Sequence, residues 1–498
     1  MEQTPIQKFY KNTNVFITGG TGFMGKILIE RLLRSTQIET LYLLVRNKKG
    51  KNIHVRIDEL FDDVIFDKLK KECPKFRHKV EAISGDCTQS GLGLNITDRQ
   101  TLISKVNIVF HVAATVKFDE NLKLAYNINV NGTKSVLDLA RQMNNLMSMV
   151  HVSTAYSHCP RSEIEEKIYD CPVSYEYVQA VLEKIGNDEA HLLTPRIIGE
   201  WPNTYTFTKA LAENMVKDLG TNLPLAIFRP SIVLSTYKEP IEGWIDNMYG
   251  PTGCAAGVYT GIMRVAMCVD EGIADVVPVD TCVAALIATA WEVSTKKFEP
   301  SSEISVYNYV SQPENPVHWK ELIEINLLYH QKIPASSSLY EVFIYETANV
   351  YFFWFLTLVL HGIPGVFIDF LAILTGHKPR MLGIYKKIYK LSVILSYFST
   401  RSWRFSNNNI RNLWKKLDEG DRELFQFSMA TVHWLQFFRI YLKGVRRYLL
   451  HESDNTIEDA KKRQRWLFIL HNGLKAILSF CVCSTALSVC SKVLSLVY

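Results

Sequence analysis

The sequence predicts an α/β fold, a doubly wound parallel sheet, followed by a mainly helical C-terminal domain and a C-terminal membrane helix. Three observations carry this. A strand, a glycine-rich turn and an amphipathic helix follow one another at residues 14–33, short apolar runs ending in small or polar residues recur to residue 155, and the chain closes on an apolar run behind a basic cluster. With 498 residues, 47% of them apolar and 21% charged, the chain can bury more than one core and is too apolar to stay disordered. Its net charge of +6 is small, and residues 401–475 alone hold 15 Lys or Arg against 8 Asp or Glu. That placement points to an anionic surface near the C-terminus and to no nucleic-acid partner. The 10 cysteines show no metal or redox spacing, so no metal site is expected and the thiols are read as reduced, in a cytosol-facing protein. Residues 1–11 are polar, so no secretory signal peptide is expected there.

The first strand, Asn14-Val15-Phe16-Ile17-Thr18, runs into Gly19-Gly20-Thr21-Gly22-Phe23-Met24-Gly25, and Ile27, Leu28, Ile29, Leu32 and Leu33 then recur at helical spacing. Gly20, Gly22 and Gly25 fit G-x-G-x-x-G, in which glycines allow a tight turn and a close approach to a pyrophosphate held at the helix N-terminus. The second strand, Thr40–Val45, ends in Arg46, with Lys48, Lys49 and Lys51 behind it. A carboxylate here would hold both ribose hydroxyls, whereas a cation attracts a 2′-phosphate, so the cofactor is read as NADPH. Three further strands are expected at 80–84, 106–112 and 149–152. The first ends at Asp86, placed to accept from an adenine amino group; the second at Ala113-Ala114-Thr115, small enough for a cofactor to lie close; the third at Ser153-Thr154-Ala155. His111 reads as a packed strand residue.

Tyr205 and Lys209 open the next helical run and share a face at i and i+4. An ammonium beside a phenol favours the phenolate, so the pair suits proton transfer to a carbonyl oxygen, with Thr154 or Ser153 polarising that oxygen first. These motifs together resemble the extended short-chain dehydrogenases of Rossmann fold: the glycine turn, His111-Val112-Ala113-Ala114, Asn129-Val130-Asn131-Gly132-Thr133, Ser153-Thr154, Tyr205-x-x-x-Lys209 and Arg229-Pro230-Ser231. Within that group, Val152-Ser153-Thr154-Ala155-Tyr156, Gly243-Trp244-Ile245-Asp246-Asn247, Gly250-Pro251-Thr252-Gly253 and Val277-Pro278-Val279-Asp280 resemble the fatty acyl-CoA reductases, the insect members in particular. Trp403-Arg404-Phe405-Ser406-Asn407 and the run from Tyr441 to Leu450 resemble that family's C-terminal domain.

The resemblance implies NADPH-dependent reduction of a long-chain acyl-CoA, through a fatty aldehyde, to a primary alcohol. Tyr205, Lys209, Thr154 and Ser153 would be the catalytic residues. Thr18 to Gly25, Arg46, Asp86, Ala113, Ala114, Thr115, Tyr205, Lys209 and Pro230 would hold the cofactor. No cysteine nucleophile is needed. Two positions depart from the family pattern: Gly20 stands where Ala is frequent, and Glu242 where Pro is usual. Two other functions compete: a steroid or nucleotide-sugar dehydrogenase or epimerase, which leaves the 243–253 motifs without a role, and a non-catalytic NADP-binding membrane scaffold, against which Tyr205 and Lys209 argue.

The expected domains are 1–300 for the NADP-binding reductase, 301–340 for a linker with a helix at 319–328, 341–455 for the helical C-terminal domain, and 456–498 for a basic flank and membrane anchor. Residues 350–375 are apolar but interrupted by His361, Pro364 and Asp369, which leaves two readings: a helical pair capping an acyl tunnel or lying in the membrane face, or a true span. Asp369 also reads as a polar cap. Behind Lys461-Lys462-Arg463-Gln464-Arg465, the run 476–491 extended to 498 suits a tilted anchor in the endoplasmic reticulum or peroxisome, with the catalytic domain in the cytosol. An amphipathic helix lying flat is the alternative.

Overall fold

Seven strands form one parallel sheet: β1 (Asn14–Thr18), β2 (Thr40–Val45), β3 (Val80–Ser84), β4 (Ile108–His111), β5 (Ser148–Val152), β6 (Leu225–Pro230) and β7 (Ser305–Tyr309). This computed structural model describes residues 2–47, 50, 52–296 and 303–497, the last five as backbone only. The strand order is β7-β6-β5-β4-β1-β2-β3, and every pair is parallel. The order reverses between β1 and β4, which opens a crevice at their carboxyl ends. Val15, Phe16 and Ile17 on β1 and Ile108, Val109 and Phe110 on β4 are fully buried. Such strands lack the alternation of a half-exposed sheet because helices cover both faces.

Those helices include α1 (Phe23–Ser35), α2 (Gly132–Ala140), α3 (Thr204–Leu219) and α4 (Val279–Thr295). Helix α4 is buried along nearly its whole length and packs on α1, β5 and β6, and Tyr10 ties the N-terminal turn to it by donating to the Ile287 carbonyl at 2.9 Å. Strands β6 and β7 extend the sheet beyond the elements the sequence suggests. Strand β6 hides between Pro224 and its own Pro230. The segment expected to be a linker supplies β7, whose Ser305-Val306-Tyr307-Asn308-Tyr309 carries too few aliphatic residues to announce a buried strand.

The chain divides into two units, each assembled from three stretches. The first comprises Met1–Asp246, Glu271–Trp319 and Arg401–Tyr441; the second comprises Asn247–Asp270, Lys320–Thr400 and Leu442–Tyr498. Residues 401–441, expected inside the helical C-terminal domain, thus fold with the sheet. Arg404–Phe405 pairs in parallel with Glu163–Ile164, and Trp403 and Phe405 meet Tyr156 edge-on at 5.2 and 5.6 Å.

In the second unit, Val265–Met267 and Tyr345–Thr347 form a short parallel pair. Beyond it lie α5 (Val350–Thr357), a wide π-type turn at Leu358–Gly362, α6 (Ile363–Leu374) and α7 (Met381–Ser399). Contacts of Phe353 with Tyr389, His361 with Tyr385 and Asp369 with Leu382 descend along the second partner, so α7 runs antiparallel to α5 and α6. Asp369 is a cap, as the sequence allowed. It accepts from the amides of Arg380, Met381 and Leu382 at 2.8, 2.8 and 2.9 Å and so starts α7. The last helix, α8 (Ile457–Val497), has 41 residues, is exposed along its apolar part and is long enough to cross a membrane.

Candidate active site

The glycine turn sits at the carboxyl end of β1, beside the crevice. Gly19 leaves the strand at φ 77°, and a Cβ there would fall 2.6 Å from the Ala113 nitrogen. At Gly25 a Cβ would lie 2.2 Å from the Gly19 carbonyl oxygen and 2.7 Å from the Gly20 Cα. Gly20 is less confined: its Cβ would meet side chains and no backbone, the ends of Ile29 and Leu43 at 3.0 and 3.2 Å and Ile17 at 3.7 Å. The N-cap of α1 is Gly22, extended and without a side chain to bond the first-turn amides. Those N–H groups, beside half-buried Thr21, Phe23 and Met24, are open to an anion. One turn on, Lys26 pairs with Asp63 at 2.8 Å and Asp246 at 3.0 Å, while Phe23 stacks on Trp244 at 5.5 Å.

Arg46 is exposed at the end of β2, and its carbonyl accepts from the Arg56 guanidinium. Burial, and then the charge of Arg46, lower the Arg56 pKa, so two cations gather at this strand end; nothing in the local sequence singles out Arg56. Lys48, Lys49 and Lys51 lie outside the described residues. Asp86 stands just beyond β3, where one of its oxygens accepts from the Thr88 amide and hydroxyl, both at 2.9 Å. On the other side of the crevice, the loop Ala113 to Thr115 is held by Asn129. That side chain accepts from the Thr115 amide at 2.9 Å and donates to the Thr208 hydroxyl on α3 at 2.9 Å.

His111 is a packed strand residue. Its Nδ1 lies 2.7 Å from the Thr18 hydroxyl and its Nε2 2.9 Å from the Thr133 hydroxyl. The Thr133 proton goes to the Asn129 carbonyl and the Ala113 amide donates to Thr18, so the neutral Nε2–H tautomer satisfies every bond. Burial, and then the charge of Lys209, push its pKa down to about 3.

Asn203 caps α3, accepting from the Thr206 amide at 2.9 Å. Tyr205, Lys209 and Glu213 then project from one face at successive fourth positions. Tyr205 is half-buried, stacks on Phe118 at 5.8 Å, and hydrogen-bonds through its hydroxyl to Thr154 at the end of β5. Lys209, only 2% exposed, donates to the Val152 carbonyl at 2.7 Å. Ser153 turns the other way and donates to Glu213 at 2.5 Å. Between the two hydroxyls the sequence offered, Thr154 is the one joined to the phenol. The Pro230 carbonyl fixes this strand end by accepting from the Ala155 amide at 2.9 Å.

The electrostatics differ from the expectation. Lys209 does not depress the phenol. Burial raises the Tyr205 pKa to about 12, opposed by the bond to Thr154. Lys209 itself is lowered to about 8 by burial, against the pull of Glu213. Glu213 is fully buried and would be raised by desolvation, but Arg229 and His158 outweigh it and hold the carboxylate well below its usual range. Arg229 binds it through Nε at 2.9 Å and Nη2 at 2.6 Å, and His158 at 3.0 Å. This buried carboxylate was missed in the sequence. Its signal was there, since it lies four residues beyond Lys209.

An NAD-binding family described as male sterility protein matches residues 17–286, and a second model with the same description matches residues 360–452. Fatty acyl-CoA reductase wat of Drosophila melanogaster is 44% identical over 96% of this chain and 92% of its own. Human fatty acyl-CoA reductase 1 is 36% identical over 95% and 92%. Among solved structures, the terminal R domain of the myxalamid PKS-NRPS pathway aligns with a TM-score of 0.57 at 19% identity, covering 87% of this chain and 90% of that one. The R domain of a Mycobacterium tuberculosis non-ribosomal peptide synthetase aligns with 0.57 at 17%, covering 91% and 94%. These two likenesses establish the fold, a doubly wound parallel sheet. With a nicotinamide-binding domain and full-length relatives at such identity, the chain belongs to the fatty acyl-CoA reductases.

Proposed function

We propose that this protein reduces long-chain acyl-CoA to a primary fatty alcohol with NADPH, through a fatty aldehyde, at the site formed by Thr154, Tyr205 and Lys209. The bond between the Tyr205 and Thr154 hydroxyls, at the carboxyl end of β5 and so at the same end of the sheet as the glycine turn, is the observation that carries the reading. The residues suit the cofactor. A Cβ at Gly19 or Gly25 would close the cradle, the first-turn amides of α1 fit a pyrophosphate, and Arg46 with Arg56 fits a 2′-phosphate. When bound, NADPH supplies a hydride twice, first to the thioester carbonyl carbon and then to the aldehyde carbon.

The chain's own residues handle the oxygen and the proton. In the first half, Thr154 and Tyr205 donate to the oxyanion, which collapses with loss of the CoA thiolate and leaves the aldehyde. In the second, Tyr205 gives its proton to the alkoxide. A phenol with a pKa of about 12 stays protonated at neutral pH, as a donor must. Lys209 holds the Val152 carbonyl, and so the start of the Ser153-Thr154 loop, while offering its charge to a cofactor ribose. The apolar part of α8, behind Lys461-Lys462-Arg463, anchors the protein with this site facing the cytosol, on the endoplasmic reticulum or peroxisome. An acyl chain costs about 0.8 kcal/mol per CH₂ to expose to water, which favours an enzyme at the membrane.

The test is thiol release. Purified protein given palmitoyl-CoA and NADPH should liberate CoA and form hexadecanol, and Tyr205→Phe should lose turnover while NADPH affinity stays near wild type. No release with any saturated acyl-CoA would refute the reading.

A further inference from the structure

We propose that the apolar segment Val350–Leu374 does not cross the bilayer but lies in the plane of one leaflet, its outer face in hydrocarbon and α7 above it among anionic phospholipid headgroups. Its 25 residues are long and apolar enough to span. Its surroundings forbid that. The buried side of the segment is the line Phe353, His361, Gly365 and Asp369, and each of these faces protein. His361 Nε2 accepts from the Arg264 amide at 3.0 Å. The Arg264 guanidinium is 4% exposed, donates to the Tyr385 hydroxyl at 2.5 Å and lies over the Tyr340 ring at 5.0 Å, and its Nε has no partner among the described residues. A crossing at this helix would carry that guanidinium, bonded to the Tyr385 phenol and to no carboxylate among the described residues, toward the bilayer centre. It would also draw in the two-stranded sheet Val265–Met267 and Tyr345–Thr347, on which α5 packs, with open edges that hydrocarbon does not admit.

The rest of the hairpin suits an in-plane position. Asp369 binds the first amides of α7, so the chain folds back directly after Leu374. Leu358, Ile363, Phe367 and Leu374 are 58–66% exposed on the outer side. On α7, Tyr385 and Tyr389 face the apolar helices, while exposed Lys387 projects from the opposite side and exposed Lys386 and Lys390 from the flank beside it. An apolar face below and a lysine face above match a bilayer interface that carries anionic lipid. On this reading α8 is the single crossing, and the placement is independent of the reaction proposed above.

Two measurements on the full chain in sealed microsomes test it. A recognition sequence for a site-specific protease is inserted between Gly376 and His377, and protease is added outside, the side that carries Lys461 to Arg465. Cleavage without detergent is expected, and protection until detergent is added would mean a crossing and overturn the proposal. A photo-crosslinking amino acid is then placed at Phe367 or, separately, at Lys387. An adduct with labelled phospholipid acyl chains is expected at 367 and not at 387. At 367, a crosslink between two copies of the chain, or no adduct, would overturn it.

Discussion

The two alanine substitutions Gly20→Ala and Gly25→Ala separate a glycine that shapes the nucleotide turn from one that merely sits in it. At Gly25 the new Cβ would stand 2.2 Å from the Gly19 oxygen and 2.7 Å from the Gly20 Cα, both backbone atoms, so the clash is relieved only by moving the start of α1 away from β1. That displaces the amides meant for the pyrophosphate. Overpacking of this kind costs about 1–3 kcal/mol, or roughly 5- to 150-fold in affinity if the strain falls on the bound state. At Gly20 the same methyl meets two flexible side-chain ends at 3.0 and 3.2 Å, which yield by a few tenths of an ångström. Dinucleotide affinity, measured by quenching of intrinsic fluorescence on titration with NADPH, is therefore expected to stay within about threefold for Gly20→Ala, below 1 kcal/mol. Gly25→Ala is expected to lose tenfold or more, with the unfolding temperature of each variant measured alongside. Equal losses in the two, with folding intact, would refute the assignment of the cradle to Gly19 and Gly25.

Four more outcomes concern the site. Thr154→Val should lower kcat about 10²- to 10³-fold, the cost of one lost oxyanion donor, whereas Ser153→Ala should leave kcat within a few-fold, because Glu213 keeps Arg229 and His158; steady-state kinetics with acyl-CoA decide. Lys209, held near a pKa of about 8, should give kcat an alkaline limb near that pH, which Lys209→Arg removes if it retains turnover. Since the folded value lies below the ordinary 10.5, the buried ammonium opposes folding at neutral pH. Stability should therefore rise as pH climbs from 8 toward 10.5, measured as the urea midpoint against Lys209→Met. Arg46→Asp should raise the KM for NADPH about 10- to 100-fold, from about 1.5–3 kcal/mol for a charge-assisted bond, and leave that for NADH unchanged or lower; an unaltered preference would count against the 2′-phosphate assignment.

Much of this was legible in the residues themselves. The glycine turn, the strand ends at Arg46, Asp86, Ala113 and Ser153, and the pair Tyr205 and Lys209 are local patterns, because a strand, a turn and a helix face are set by neighbours in the chain. Strands β6 and β7 were not legible, since prolines at one and scattered polar residues at the other mask strands stabilised by pairing with β5 and with each other. The choice between Ser153 and Thr154 was also closed to sequence. Two adjacent hydroxyls on a strand end point to opposite sides, and only the packing of α3 puts Glu213 against one and Tyr205 against the other.

The sign of the phenol's shift belongs to the same class. Spacing places Lys209 beside Tyr205, but whether charge or burial prevails depends on how the phenol is enclosed by packing, and here burial prevails. What the sequence alone determined, then, was the fold class, the kind of chemistry and the apolar character of residues 350–375 and 476–491. Tertiary structure decided which hydroxyl meets the phenol, which carboxylate holds Arg229 and which side of the apolar hairpin is covered, because each is a contact between segments far apart in the chain.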